Sequence, residues 1–188
     1  MKKLAIFGSG SGSNAENIYT YFKGSLLVKI VFICTNNKNA YIVKRAKKLN
    51  IPVIYTSKSE LTDFYNFKKK ILPYDVDYIV LAGFLLKIPS VMLSYYSNRI
   101  INIHPSLLPK YGGKGMYGRN VHQAVLKNNE KESGITIHFV NQNYDEGKII
   151  LQKKCVISQK ETIDSLEKKI HSLEFKHLPK TIKKIALK

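Results

Sequence analysis

Two side chains in "NIHPSLLPKYGGKGMYG" (102–118), Asn102 and His104, are the first pair in the sequence equipped for charge and proton chemistry. On an extended segment residues two apart project to the same face, and Pro105 holds His104 extended and ends the strand there. An amide that donates a hydrogen bond beside an imidazole that gives or takes a proton suits oxyanion stabilisation and proton movement in acyl transfer. Asp145, in "HFVNQNYDEGKII" (138–150) beside Gly147, belongs with them by type. An aspartate near an imidazole stabilises its charged form and raises its pKa, keeping it available as an acid near neutral pH. Taken singly, each has a plainer reading: a lone histidine is most often satisfied by backbone, and Asp145 suits an Asx turn. Spacing alone does not bring Asp145 to His104.

A glycine cluster and an apolar loop add binding chemistry. "FGSGSGSNAENI" (7–18) follows an apolar run directly, and Ser13 or Asn14 is the expected N-cap of a helix whose free N–H groups suit an anion such as a phosphate. From Gly10 the spacing fits a dinucleotide fingerprint, yet the second apolar run ends in "CTNN", without the acid that holds a ribose. No glycine-rich loop ending in Lys-Ser or Lys-Thr is present, which removes the nucleoside-triphosphate loop. A monophosphate site remains, set against a plain strand-to-helix turn. "LAGFLLKIP" (81–89) is an apolar loop placed to wall a pocket for a flat, partly hydrophobic ligand, although Leu85, Leu86 and Ile88 could equally be core.

These residues must be held by elements, and the periodicity supplies them. "KLAIFG" (3–8), "VKIVFICT" (28–35), "IPVIYT" (51–56), "DYIVLAG" (77–83) and "RIINIH" (99–104) read as buried strands. Helix-length segments 14–23, 39–49 and 59–72 lie between them, so the strands are expected to pair in parallel through crossover units. After a helix at "VHQAVLKNNEK" (121–131), "GITIHFV" (134–140) and "KIILQKKCVI" (148–157) are separated by only "NQNYDEG", too short for a crossover helix, so this pair is expected to be antiparallel. A long C-terminal helix covers 162–186, with an interruption expected near Pro179. The expectation is one α/β domain over 1–188: a Rossmann-like, mainly parallel sheet with helices on both faces, an antiparallel strand pair late in the chain and a long C-terminal helix.

Composition narrows the function. A length of 188 residues suits one domain with a real core. No stretch approaches the roughly 20 apolar residues of a membrane span. Cys34 and Cys155 sit in separate apolar runs and read as core thiols, which implies a reducing, cytoplasmic setting. The net charge of +18 invites a nucleic-acid reading, but of 31 basic residues only Arg45, Arg99 and Arg119 are arginine, and the lysines are spread along the chain. Base recognition favours arginine, so a general lysine bias or steering of small anions explains the charge better than nucleic acid does.

"GSGSN", "VLAGF", "NIHPSLLPKYGGKGMYG" and "HFVNQNYDEGKIILQ", in this order and spacing, closely resemble the phosphoribosylglycinamide formyltransferases, within the wider formyltransferase superfamily. The resemblance runs from the first strand to the last helix. It implies direct transfer of a formyl group from 10-formyltetrahydrofolate, as co-substrate, to the amine of glycinamide ribonucleotide, without metal or covalent enzyme intermediate. It implies that His104 is the general acid, Asn102 its partner on the formyl oxygen, and Asp145 the group that orients the histidine and raises its pKa. Gly12, Ser13 and Asn14 match the phosphate-binding turn, and Glu174 in "HSLEFKHLP" matches a glutamate that contacts the ribonucleotide. Leu85, Leu86, Lys87 and Ile88, together with Asn102 and with Asn141, Gln142, Asn143, Tyr144 and Asp145, match the folate pocket. His138 is given a supporting role at most. Small molecules are the implied partners, without nucleic acid or membrane, for a monomer or weak homodimer.

Two positions depart from the family pattern: Leu86 stands where arginine is common, with Lys87 after it, and a basic residue for the folate tail falls to Lys58. The glycines of "KYGGKGMYG" are expected to fold beside the pocket and carry Lys110 near anionic substrate groups. Rival readings are a tRNA or sugar-nucleotide formyltransferase, a formyltetrahydrofolate hydrolase, and a non-catalytic binding relative. The tRNA enzyme would bring a C-terminal RNA-binding domain, which 188 residues are not expected to hold. The hydrolase would bring an N-terminal regulatory domain, where this chain reads at once as a first strand. A binding-only protein has no need of an amide, an imidazole and a carboxylate together.

Overall fold

The first apolar run forms β1 (Lys2–Phe7), an interior strand of a seven-stranded sheet, where its alternation serves two cores at once. Leu4 and Ile6 enter one hydrophobic cluster, Ala5 and Phe7 the other. This is the two-sided burial that parallel strands under helices require. The computed structural model describes residues 1–187. Its sheet order is β3 (Val53–Tyr55), β2 (Val28–Thr35), β1, β4 (Tyr78–Leu81), β5 (Ile100–His104), β6 (Glu132–Phe139) and β7 (Ile149–Val156). The first five strands pair in parallel, while β6 runs antiparallel to both β5 and β7, with Asn102 opposite His138 and His104 opposite Thr136. The order reverses between β1 and β4, so the loops leaving their carboxyl ends splay apart and open a crevice there.

The helices are α1 (Ser13–Phe22), α2 (Tyr41–Lys48), α3 (Lys58–Thr62), α4 (Phe64–Ile71), α5 (Ser90–Tyr95), α6 (Arg119–Lys127) and α7 (Ile163–Ala186). Among the described residues no helix is long and apolar enough to cross a membrane. Several local expectations are corrected. The helix expected over 59–72 is two helices, because the Asp63 carboxylate accepts from the Asn66 N–H at 3.3 Å and starts a new one. The N-cap of α1 is Gly12, with φ 75°, rather than Ser13 or Asn14. The short α5 was not legible as a helix. Pro179 does not interrupt α7. A proline lacks the N–H that would bond the carbonyl four residues back. Here that carbonyl, on Phe175, accepts instead from the Asn17 amide on α1 at 3.0 Å, so the long helix continues with its lost bond replaced.

Candidate active site

The crevice deepens into a cavity of about 600 Å³, walled by the loops that follow β1, β4 and β5, the connection from β6 to β7, and one face of α7. Its size is that of a small-molecule site.

At its centre is His104, the last residue of β5 and almost wholly buried. Its Nε2 lies 2.7 Å from the Tyr111 carbonyl oxygen, and its Nδ1 lies 3.5 Å from Asp145 Oδ2. Asn102, two residues earlier on the same face, donates from Nδ2 to Asp145 Oδ1 at 3.4 Å and reaches His138 Nε2 at 3.1 Å. The other His138 nitrogen, Nδ1, donates to the Phe139 carbonyl at 2.9 Å, so in the neutral ring Nε2 is the acceptor for Asn102. Asn102, His104 and Asp145 therefore meet. His138 takes a larger part than its sequence position suggested, by orienting Asn102 and approaching Asp145 Oδ1 at 3.6 Å.

Backbone geometry sets the Asp145 carboxylate in place. Asp145 has φ 58°, its Oδ2 accepts from the Gly113 N–H at 2.9 Å, and Gly147 beyond it has no room for a Cβ against the Phe139 carbonyl. Burial pushes the Asp145 pKa up, but the neighbouring His138 and His104 rings and the Gly113 N–H together hold it below the ordinary value. The same comparison corrects the expectation for His104. Burial pushes its pKa down, and this outweighs the upward pull of Asp145 and of the Tyr111 carbonyl, so the net shift is downward. The resting imidazole is more easily deprotonated than a free one. The carboxylate stands beside the imidazole, as the resemblance implied, and the sequence carries no measure of the desolvation around it.

At one end of the cavity lies the turn after β1. Gly12 must be glycine twice over: its φ is left-handed, and a Cβ would meet Ile42 of α2 at 2.5–2.8 Å. Ser9 ties this turn to the loop after β4, accepting from the Leu85 N–H at 3.0 Å, and Ile42 N donates to the Gly10 carbonyl at 3.1 Å. Gly12, Ser13 and Asn14 line the cavity here with the first, intrahelically unpaired N–H groups of α1. Glu174 of α7 joins them, accepting from Asn14 Nδ2 at 2.9 Å, both residues being buried. Burial raises the Glu174 pKa against the opposing bond from Asn14. Two residues that sequence reasoning missed line the same cavity. His122 is buried with its Nδ1 unpartnered, and His171 lies three residues before Glu174 on α7. The available signals were a histidine on the apolar face of α6 and a histidine at helical spacing from Glu174.

The opposite wall is apolar. Leu85, Leu86, Lys87 and Ile88 line it, and from the facing connection come Asn141, Asn143 and Tyr144, with Lys87 Nζ 5.4 Å from the centre of the Tyr144 ring. Three expectations fail here. Gln142 is exposed on the connection and off the wall. Lys58 is the exposed first residue of α3, away from the cavity, because Ser57 starts that helix with a capping box that turns the chain outward. Lys110 is paired with Glu130 at 2.9 Å on the far side of its loop.

The arrangement offers an anion-binding turn, a central hydrogen-bond donor with a buried base and its carboxylate, and a flat apolar wall. Residues 2–182 match the family model described as formyl transferase. The chain is 39% identical over 187 residues to a chloroplastic phosphoribosylglycinamide formyltransferase of Arabidopsis thaliana, covering 93% of this chain and 62% of that protein. It thus spans about three fifths of the length of that relative. To the phosphoribosylglycinamide formyltransferase of Bacillus subtilis it is 34% identical, covering 98% of this chain and 95% of that one. The solved structure of the enzyme of that name from Coxiella burnetii superposes with a TM-score of 0.89 at 35% identity, over 99% of this chain and 87% of that one.

Proposed function

Since this chain belongs to the formyl transferase family, we propose that it transfers a formyl group from 10-formyltetrahydrofolate to the amine of glycinamide ribonucleotide, a step of purine biosynthesis. The observation that carries the reading is the meeting of Asn102, His104 and Asp145 between an anion-binding turn and an apolar wall. The turn at Gly12, Ser13 and Asn14, with Glu174, takes the ribonucleotide. Leu85 to Ile88, with Asn141, Asn143 and Tyr144, takes the folate. Asn102 and Asp145 border both.

In this reading the amine attacks the formyl carbon, leaving negative charge on oxygen and an ammonium on nitrogen. Asn102 Nδ2 turns the N–H it gives weakly to Asp145, at 3.4 Å, to the oxygen while its other N–H stays on His138, the kind of oriented contact that lowers such a barrier by the largest single amount. His104, neutral at rest, takes a proton from the ammonium and passes it to the departing folate nitrogen as the carbon–nitrogen bond breaks and the carbonyl re-forms. Asp145, held ionised, stabilises the imidazolium in between. His104 thus serves first as base and then as acid. We assign residues 1–188 to one formyltransferase domain, acting as a monomer or weak homodimer on small molecules alone. Cys34 and Cys155 are free, which supports a reducing, cytoplasmic setting.

The test is turnover of purified protein with 10-formyltetrahydrofolate and glycinamide ribonucleotide, followed by folate release. Release that depends on the ribonucleotide is expected. No release, or equal release into water alone, removes the assignment.

A further inference from the structure

The partner of the second His104 nitrogen is a main-chain carbonyl, and the residue that owns it is held from outside the cavity. Tyr111 has φ 57°, a conformation uncommon for a bulky side chain. Its phenol points away from the site, donating to Glu130 Oε1 at 2.9 Å and accepting from Asn128 Nδ2 at 2.9 Å. Lys110 Nζ pairs with the same Glu130 carboxylate, and Ser106 Oγ donates to the Lys110 carbonyl at 2.6 Å. The segment that follows His104 is thereby closed into a loop and fastened to the turn between α6 and β6.

We propose that Tyr111, tethered by Glu130, is a positioning residue that fixes the tautomer of His104: its carbonyl keeps one proton on Nε2, so that the proton moved in the reaction is carried on Nδ1.

In a neutral imidazole one nitrogen donates and the other accepts. A carbonyl oxygen can only accept, so the 2.7 Å contact requires the proton on Nε2. That leaves the Nδ1 lone pair free, on the nitrogen that Asp145 faces. With the opposite tautomer two lone pairs would meet at Tyr111, and Nδ1 would already be filled. The titratable side chains that bear on His104 are Asp145 from the β6–β7 connection, His138 from β6 and His122 from α6. Only Asp145 among these is anionic, and its pull favours a proton on Nδ1, but its Oδ2 stands off at 3.5 Å and is already bonded to the Gly113 N–H. The Tyr111 carbonyl at 2.7 Å is the closer acceptor, and the tautomer rests on it. In the formyl transfer proposed above, on which this inference rests for its catalytic meaning, the ammonium proton moves to Nδ1 and from there to the folate nitrogen. The ring ends as it began, with its proton on Nε2.

The decisive variant is Tyr111→Phe, which keeps the ring and loses the tether. Imidazole ¹⁵N spectra of the substrate-free, histidine-labelled protein, with the His104 signals assigned by their loss in His104→Ala, are expected to show a single Nε2–H tautomer in the native chain and a mixture in Tyr111→Phe. In turnover, kcat falls by about tenfold while KM for both substrates is unchanged, the scale on which groups behind a functional histidine act. The acidic limb of the pH profile moves to lower pH. Glu130→Gln, which still accepts from the phenol, keeps the native tautomer and restores kcat. If Tyr111→Phe does not fold, Glu130→Ala on the half-exposed turn is read in the same way. A folded Tyr111→Phe or Glu130→Ala protein with the native ¹⁵N pattern and pH profile overturns the proposal. The spectra need no substrate, so a native protein without turnover counts against the reaction and leaves the tautomer decided on its own.

Discussion

The Asn14 amide donates to the Glu174 carboxylate at 2.9 Å, joining the first helix to the last across 160 residues of chain at the edge of the cavity. Both residues are buried, and burial raises the Glu174 pKa above its ordinary 4.5. A carboxyl whose folded pKa is raised binds its proton more tightly in the folded chain, so its contribution to stability is full below pH 4.5 and is lost as pH rises through the folded pKa. Thermal unfolding of the native chain and of Glu174→Gln across this range should therefore diverge. The glutamine protein escapes the loss and gains stability relative to the native one as pH rises. Curves that stay parallel would mean that the charge is solvated in the folded state.

A second prediction concerns His104. Because burial outweighs the carboxylate there, the free protein holds a neutral imidazole at pH 7 and loses it on acidification below the ordinary value. With His104 starting as a base, kcat/KM falls on the acidic side through this titration. Asp145→Asn removes the charge that supports the imidazolium, so its acidic limb lies at still lower pH and its maximal rate is reduced. The substrate amine titrates alike in both proteins, and the difference between the profiles isolates His104. An acidic limb that does not move in Asp145→Asn would mean that His104 is not the group titrating there, and a loss of rate on the alkaline side through this titration would reverse the proton order.

Replacement of the two side chains on β5 should separate their roles. Asn102→Ala removes the donor for the formyl oxygen and should lower kcat by about 10²–10³. His104→Ala should lower it by about 10²–10⁴. Folate affinity, measured by equilibrium binding, should persist in both, because the apolar wall at Leu85 to Ile88 is untouched. Loss of folate binding in step with kcat would recast either residue as part of the pocket's framework.

The strands and their mainly parallel pairing were legible because strand runs are set by local pattern: "VKIVFICT" is β2 to the residue, and the short "NQNYDEG" connection forces an antiparallel pair, while the order of the strands in the sheet was not. The pairing of Asn102 with His104 was legible for the same reason, since a two-residue spacing on a strand fixes a shared face. What was not legible depends on neighbours distant in sequence. The direction of the His104 shift is a balance of burial against charge, and burial is a property of the packed fold. Lys58 and Lys110 were plausible cations by charge alone, but a capping box at Ser57 and an ion pair with Glu130 turn them elsewhere. His122 and His171 reach the cavity through the packing of α6 against α7.

The continuity of α7 through Pro179 gives the last prediction. Pro179 cannot donate to the Phe175 carbonyl, and the Asn17 amide does so in its place at 3.0 Å. Asn17→Ala should therefore cost about 0.5–1.5 kcal/mol in chemical denaturation, the worth of one such bond. In a Pro179→Ala background the helix supplies its own N–H to that carbonyl, so the same Asn17→Ala change should cost less. The coupling between the two sites in a double-mutant cycle measures the replacement directly. Additive effects would mean that the Asn17 bond is incidental and that packing of the buried Pro179 ring alone keeps the helix whole.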